Sequence, residues 1–294
     1  MTFPTDNAGN DGAAPPSAPP APPAPSAGRA ALSKLPEITL YFWIMKILCT
    51  TLGETGGDQL AQTMKIGYLV TSVVLVGFFL VSVLIQLRID RLLPAVYWTV
   101  ILATSMAGTT MSDFMNRSAG LGYARGAAVL ISALLLVFAC WKVSGRTFDV
   151  TQIRSFGGEM LYWTAILISN TLGTSLGDFL SDPTGGDLGY MGSAAVIFGV
   201  LALMLLAKYF TPVSNTLLFW IAFVLTRPLG ATVGDFFTKP LAKGGLDLGT
   251  LQASIVLVAL LALLVAFTTR KQRRSRREEA EPAAQERELA SSTV

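Results

Sequence analysis

The sequence predicts an all-α polytopic membrane protein: eight transmembrane helices arranged as four parallel two-helix repeats. Three observations carry this. Hydrophobic residues make up 52% of the chain and charged residues only 14%, with a mean hydropathy of +0.54, whereas a soluble chain carries about 25% charge. Apolar runs at 66–87, 188–207 and 248–269 each exceed the roughly 18 residues that identify a membrane-crossing helix. Finally, the pattern W-x9-G-x4-D recurs four times. The alternating ten-residue strands of a membrane barrel are absent.

Residues 1–33, as in A-A-P-P-S-A-P-P-A-P-P, have too little apolar surface to pack and predict a disordered, partly extended cytoplasmic tail. No apolar core follows a charged start there, so the segment does not read as a signal peptide. The membrane domain is expected over 34–270, with spans near 38–62, 66–87, 94–116, 120–142, 159–181, 188–208, 212–237 and 247–269. A charged cytoplasmic tail follows at 271–294.

Lys and Arg divide unevenly between the two sides. One side holds fourteen: Arg29, Lys34, Arg88, Arg91, Lys142, Arg146, Arg154, Lys208 and six within 270–277. The other holds five: Lys65, Arg117, Arg125, Lys239 and Lys243. The positive-inside rule then puts both termini in the cytoplasm. The six basic residues behind the last run read as an anchor beside anionic lipid, not as a nucleic-acid site, since no nucleic-acid-binding module accompanies them.

The repeats cover about 38–90, 93–142, 158–209 and 212–269, with Trp43, Trp98, Trp163 and Trp220 near their starts. Ten residues on come Gly53, Gly108, Gly173 and Gly230, and fifteen on Asp58, Asp113, Asp178 and Asp235. The fourteenth position is small each time (Gly57, Ser112, Gly177, Gly234), so each odd helix carries a small-xxx-small pair that lets helix backbones approach. The second helix of each unit opens after a glycine turn such as L-G-Y, which predicts a helical hairpin repeated in one membrane orientation. The Trp residues read as packing or interfacial groups.

The segments K-L-P-E-I-T-L-Y-F-W, T-T-L-G-E-T-G-G-D and T-R-P-L-G-A-T-V-G-D-F-F-T-K-P resemble those of a bacterial family of membrane-anchored proteins. That family is defined by a fourfold tandem repeat of unknown function, with two transmembrane helices and a tryptophan per repeat. The resemblance covers 34–270. It implies the fold and a place in the bacterial cytoplasmic membrane, and it supplies no activity and no site residues.

The candidate site therefore comes from the residues. On a helical wheel, the Trp and the positions 3, 7, 11 and 14/15 beyond it share one face. In the first unit these are Trp43, Lys46, Thr50, Glu54 and Gly57/Asp58; in the fourth, Trp220, Phe223, Arg227, Ala231 and Gly234/Asp235. Ionisable groups in a span are costly unless they face the protein interior or water. This predicts an inward polar core of Glu54, Asp58, Asp113, Asp178 and Asp235, with Lys46, Arg227 and Thr50. Each Asp lies about 30 Å along its helix, close to the outer boundary, at the unfavourable end of the helix dipole. A compensating cation would relieve that placement, and Glu54, Asp58 and Asp235 are its candidate ligands. Two other readings stand beside this one. The Asp side chains could cap the turns by bonding to backbone N–H groups, and Lys46 and Arg227 could neutralise the acids as buried pairs.

The chemistry has clear boundaries. There is no histidine, and the two cysteines, Cys49 and Cys140, lie in apolar segments. Oxygen ligands favour a hard ion such as Mg²⁺, Mn²⁺ or Ca²⁺ over Zn²⁺ or Cu⁺. No Walker motif, nucleophile elbow or H-E-x-x-H occurs, so no enzyme and no cofactor is expected. The leading expectation is a transporter or permease for a small cation, its partners being the bilayer and that ion. The alternatives are a non-transporting scaffold or accessory protein and a permease for a small organic solute held by Lys46 and Arg227. Glu54 is replaced by Thr109, Thr174 and Ala231 in the other units, and Lys46 by Ile101, Ile166 and Phe223; function is expected in these departures from symmetry.

Overall fold

The computed structural model describes residues 36–89, 92–149, 153 and 155–292. The expected N-terminal tail lies outside the described residues. Eight long helices occur among them: α1 Leu40–Asp58, α2 Tyr68–Arg88, α3 Pro94–Asp113, α4 Tyr123–Val143, α5 Phe156–Ser181, α6 Gly189–Phe210, α7 Asn215–Thr238 and α8 Thr250–Ser292. The described residues contain no strand. Five helices are long and apolar enough to cross a membrane, namely α2, α4, α6, α7 and the Thr250–Lys271 part of α8. The chain thus has the make-up of a multi-pass membrane protein. Helices α1, α3 and α5 fall short because their threonines, glycines and acids dilute the apolar content.

Those polar helices form the interior. α1 packs on α3, α3 on α5, α5 on α7 and α7 back on α1, which closes a four-helix ring. The second helix of each repeat lies outside the ring, with long apolar side chains such as Val73, Phe78, Leu135, Phe198 and Leu263 turned outward. The expected hairpins do not form as packing units. α2 packs along α3, α4 along α5, α6 along α7 and α8 along α1, so each outer helix leans mainly on the inner helix of the next repeat. The packing module is therefore offset by one helix from the sequence repeat. The inner helix's small-residue face is already taken by its ring neighbours.

The small residues set the ring's dimensions. A Cβ placed on Gly108 would come within 2.9 Å of Asn170 Cβ and of the Thr171 backbone nitrogen, and one on Gly230 within 2.8 Å of the Thr50 backbone carbon. Gly53 meets Ser105 and Gly173 meets Arg227 in the same way. The tenth residue after each Trp thus receives the seventh of the next repeat, and the last repeat receives the first. Close backbone approach of this kind is how helices associate where lipid gives no hydrophobic drive.

Beneath the glycines lies an aromatic belt with the same cyclic order. Phe42 meets Trp98 at 5.7 Å, Tyr97 meets Trp163 at 5.9 Å, Tyr162 meets Trp220 at 6.0 Å and Phe219 meets Trp43 at 5.8 Å between ring centroids. Three of the four tryptophans are buried in the core, so they pack the interior. Phe148, after α4, comes up against this belt: Trp141 stacks on it at 5.1 Å, and Trp220 Nε1 donates to its carbonyl at 3.2 Å.

At the opposite end, α1 and α3 pass into single π turns, Gln59–Thr63 and Phe114–Ser118, while α5 and α7 stop before Asp182-Pro183 and Lys239-Pro240. A proline cannot continue a helix. All four turns then share one backbone device, a pair of left-handed residues flanking one other: Lys65/Gly67, Gly120/Gly122, Asp187/Gly189 and Asp247/Gly249. α8 continues as helix to Ser292, beyond the expected end near 269, through a stretch rich in the helix formers Arg, Glu and Ala.

Candidate functional site

The four aspartates gather at the turn end of the ring, in two pairs. Lys239, the first residue after α7, puts Nζ 2.5 Å from Asp58 Oδ2 and 3.1 Å from Asp235 Oδ1. Arg117, in the π turn after α3, puts Nε 3.0 Å from Asp113 Oδ1 and Nη2 3.5 Å from Asp178 Oδ2. In both cases the cation stands four residues after its own Asp and bridges to the Asp of the next repeat. Gln62 and Asp182 occupy the equivalent position in the first and third repeats. Gln62 Nε2 donates to Asp58 Oδ1. A fourfold sequence repeat thus carries a twofold pattern of charge.

Glu54 lies one turn deeper and breaks even that pattern. Its Oε2 accepts from Arg227 Nη2 at 3.1 Å and from the Thr109 and Thr174 hydroxyls at 3.1 and 3.3 Å. Arg227, fully buried, also donates to the Thr50 carbonyl at 3.1 Å, to the Ser105 carbonyl at 3.2 Å and to Thr109 Oγ1. One carboxylate therefore draws a contact from each of the other three repeats. Its Arg partner is the side chain suited to such burial, because guanidinium keeps its proton and spreads its donors. Arg227 Nε has no hydrogen-bond partner among the described residues. Thr50 takes part through its carbonyl, while its hydroxyl donates to the Ile47 carbonyl at 2.9 Å and lies 3.3 Å from that of Thr226.

Glu54, Asp58 and Asp235 each offer an oxygen such that the three lie within 4.8 Å of one another, all from buried side chains. Beside them a cleft of about 320 Å³ reaches Asp58 and Lys239, and Gln59, Gln62, Thr250 and Gln252 also line it. Burial disfavours the charged form of Lys239, but the Asp235 and Asp58 carboxylates outweigh it and raise its pKa above the ordinary lysine value. The ammonium sits between two of the three acids, Asp58 and Asp235. At this end of the ring five carboxylates (Glu54, Asp58, Asp113, Asp178, Asp235) meet three bases (Arg117, Arg227, Lys239).

The residues singled out from the sequence divide clearly. Glu54, Asp58, Asp235 and Arg227 come together as expected, with Thr50 beside Arg227, and Asp113 with Asp178 forms a second group around Arg117. Lys46 stands apart and neutralises none of the acids. It has no carboxylate within 4 Å among the described residues and instead hydrogen-bonds Asn170 Oδ1 at 3.4 Å over the Phe223 ring. Nor, among the described residues, do Asp58 and Asp113 cap their turns. The helix-to-π junctions at Asp58 and Asp113 have no side-chain cap, and it is Asp182 that accepts the Thr184 N–H, at 2.8 Å. Lys239 and Arg117 were not anticipated as site residues, because they fall among the loop charges used to orient the chain. Their spacing of four from an Asp was the available signal.

No curated protein and no solved structure matches the chain. The family model described as Repeat of Unknown Function (DUF347) matches residues 41–91, 96–147, 161–213 and 218–274, one match for each repeat. The chain belongs to that family, with four tandem copies of its repeat.

Proposed function

We propose that the protein is an integral membrane permease for a small hard cation such as Mg²⁺ or Mn²⁺, bound at Glu54, Asp58 and Asp235. In this reading all eight helices cross the bacterial cytoplasmic membrane, with both termini in the cytoplasm. The outer helices meet lipid and shield α1, α3 and α5 from it. The observation that carries the proposal is the charge imbalance beside the cleft. Three buried carboxylates, Glu54, Asp58 and Asp235, meet only two bases there, Arg227 and Lys239, and each offers an oxygen within 4.8 Å of the other two. Such an arrangement in a span is unfavourable unless a cation visits, and carboxylate and amide oxygens suit hard ions. Lys239 holds the place between visits and is displaced toward the cleft when the ion enters.

The test is cation flux into vesicles reconstituted with the purified protein. Glu54→Gln and Asp58→Asn are expected to abolish flux and leave helix content and monodispersity intact. A non-transporting scaffold is the second reading, favoured by the fact that each of the five acids already has a partner within the protein. On that reading the two substitutions lower thermal stability, and wild-type vesicles show no flux.

A further inference from the structure

We infer that the cleft beside Asp58 is a separate outer site, which takes a divalent cation with its water shell intact before Glu54, Asp58 and Asp235 bind the ion directly; the inference rests on the cation-permease reading. The cleft holds about 320 Å³, far more than a bare ion needs. Six waters at about 30 Å³ each come to about 180 Å³, so a hydrated ion fits. Of the three acids only Asp58 lines the cleft, and Glu54 lies one turn deeper along α1. Thr63 and Gln252 are exposed at the rim, so the way in from the turn end is open.

The lining suits a ligand that donates hydrogen bonds. Thr250 gives its hydroxyl proton to Gln59 Oε1 at 2.5 Å. A hydroxyl has one proton, so in the 2.9 Å contact between Thr63 and Thr250 it is Thr63 that donates. Thr238 gives its proton to the Gly234 carbonyl at 2.9 Å. Gln62 turns its amide nitrogen to Asp58, which leaves its carbonyl oxygen as an acceptor. Three hydroxyl protons and an amide nitrogen are thus committed to the protein, and these side chains present oxygen lone pairs to the cleft. Water on a divalent ion is a strong donor, because the ion draws electrons from its O–H bonds. At the floor two carboxylates, Asp58 and Asp235, meet one ammonium, Lys239, and the excess negative charge draws a cation in.

The two stations divide the work. Mg²⁺ sheds water reluctantly, and an acceptor-lined cleft stabilises the shell with which it arrives. The three acids then replace some of those waters with carboxylate oxygens. Lys239, between the stations, leaves Asp58 and Asp235 and swings into the space the ion has vacated. Gln62 is what keeps the cleft open to a cation. The equivalent residue of the second repeat is Arg117, paired with the Asp four residues before it, and a guanidinium at position 62 would repel an incoming ion. Gln62 and Thr250 are therefore specificity-determining residues, which select an ion by the shell it carries.

The test uses the full-length protein in nanodiscs of neutral lipid, with hexaamminecobalt(III) as the probe. Its ammonia ligands do not exchange, so it offers N–H donors where the hydrated ion offers O–H, and it cannot pass on to the three acids. Calorimetry is expected to show that the probe binds and that Gln62→Leu weakens it at least about tenfold, with Thr250→Val as the second variant. Glu54→Gln is expected to lose Mg²⁺ and keep the probe. In reconstituted vesicles the probe is expected to block Mg²⁺ flux from the cleft side. Glu54-dependent flux that the probe does not block, or probe binding that neither variant of the lining weakens, overturns the outer site and leaves the permease reading standing. A cleft that takes methylammonium and not the probe is an organic-ammonium site, which overturns the inference as well. Gln62-dependent probe binding without any Mg²⁺ flux overturns the permease reading alone, and the absence of both overturns both.

Discussion

The junction between the fourth and first repeats and the junction between the second and third are built from the same parts and do different things. Each has two aspartates bridged by a base that follows one of them by four residues. At the second junction the base is Arg117, whose guanidinium also reaches the hydroxyls of Tyr123 at 2.9 Å and Tyr68 at 3.3 Å. Its charge is fixed and its donors are engaged on several sides, so the group acts as a clamp. At the first junction the base is Lys239, a single-point donor in the coil after α7, beside a cleft and next to a third acid, Glu54. Ammonium on a flexible stem is readily displaced. Duplication supplied one device twice, and the change of one base and one added acid turns a brace into a candidate binding site.

The largest effect is expected at Arg227, which joins the first junction to the axis. Arg227→Met leaves Glu54 buried without its partner and should cost about 3–5 kcal/mol, read as a lowered unfolding midpoint in detergent. A loss below about 1 kcal/mol would mean that Glu54 is not held as a charge. Next comes a matched pair. Arg117→Met should destabilise by about 1–3 kcal/mol, the partial exposure of that side chain reducing the penalty, and leave Mg²⁺ affinity unchanged. Lys239→Met should cost at least as much stability, its side chain being the more buried, but tighten Mg²⁺ binding at least about tenfold, since it removes a competing charge from the site. Equal shifts in affinity for the two variants, measured by calorimetry, would erase the distinction between the junctions. The smallest effect tests the third repeat's version of the same position. Asp182→Ala removes the bond from the Thr184 N–H and should cost about 0.5–1.5 kcal/mol, with no change in cation binding.

The sequence made the helices and their fourfold order legible, because Trp, Gly and Asp hold fixed spacings over repeats of similar length. The wheel also put Glu54 with Asp58, and Arg227 with Asp235, on inward faces of their two helices, since burying any of them demands a common interior. Two things were not legible. Chain order suggests that a helix pairs with the one it is joined to, but α2 packs along α3. An apolar outer helix can cover either neighbouring inner helix, and nothing in its composition chooses between them. Lys239 and Arg117 were the second miss. A residue just past a helix end reads as a loop charge until the ring is closed and shows which acids stand across from it.

The closure itself bears on how the molecule is made. Glu54 and the arginine that neutralises it are separated by 173 positions, and α8 completes the cover over α1. During synthesis, the N-terminal part of the chain emerges first. The first repeat must therefore wait, its acid exposed to whatever surrounds it, until the fourth has been translated and inserted. A nascent chain missing that last repeat holds a carboxylate with no partner and a helix with no wall.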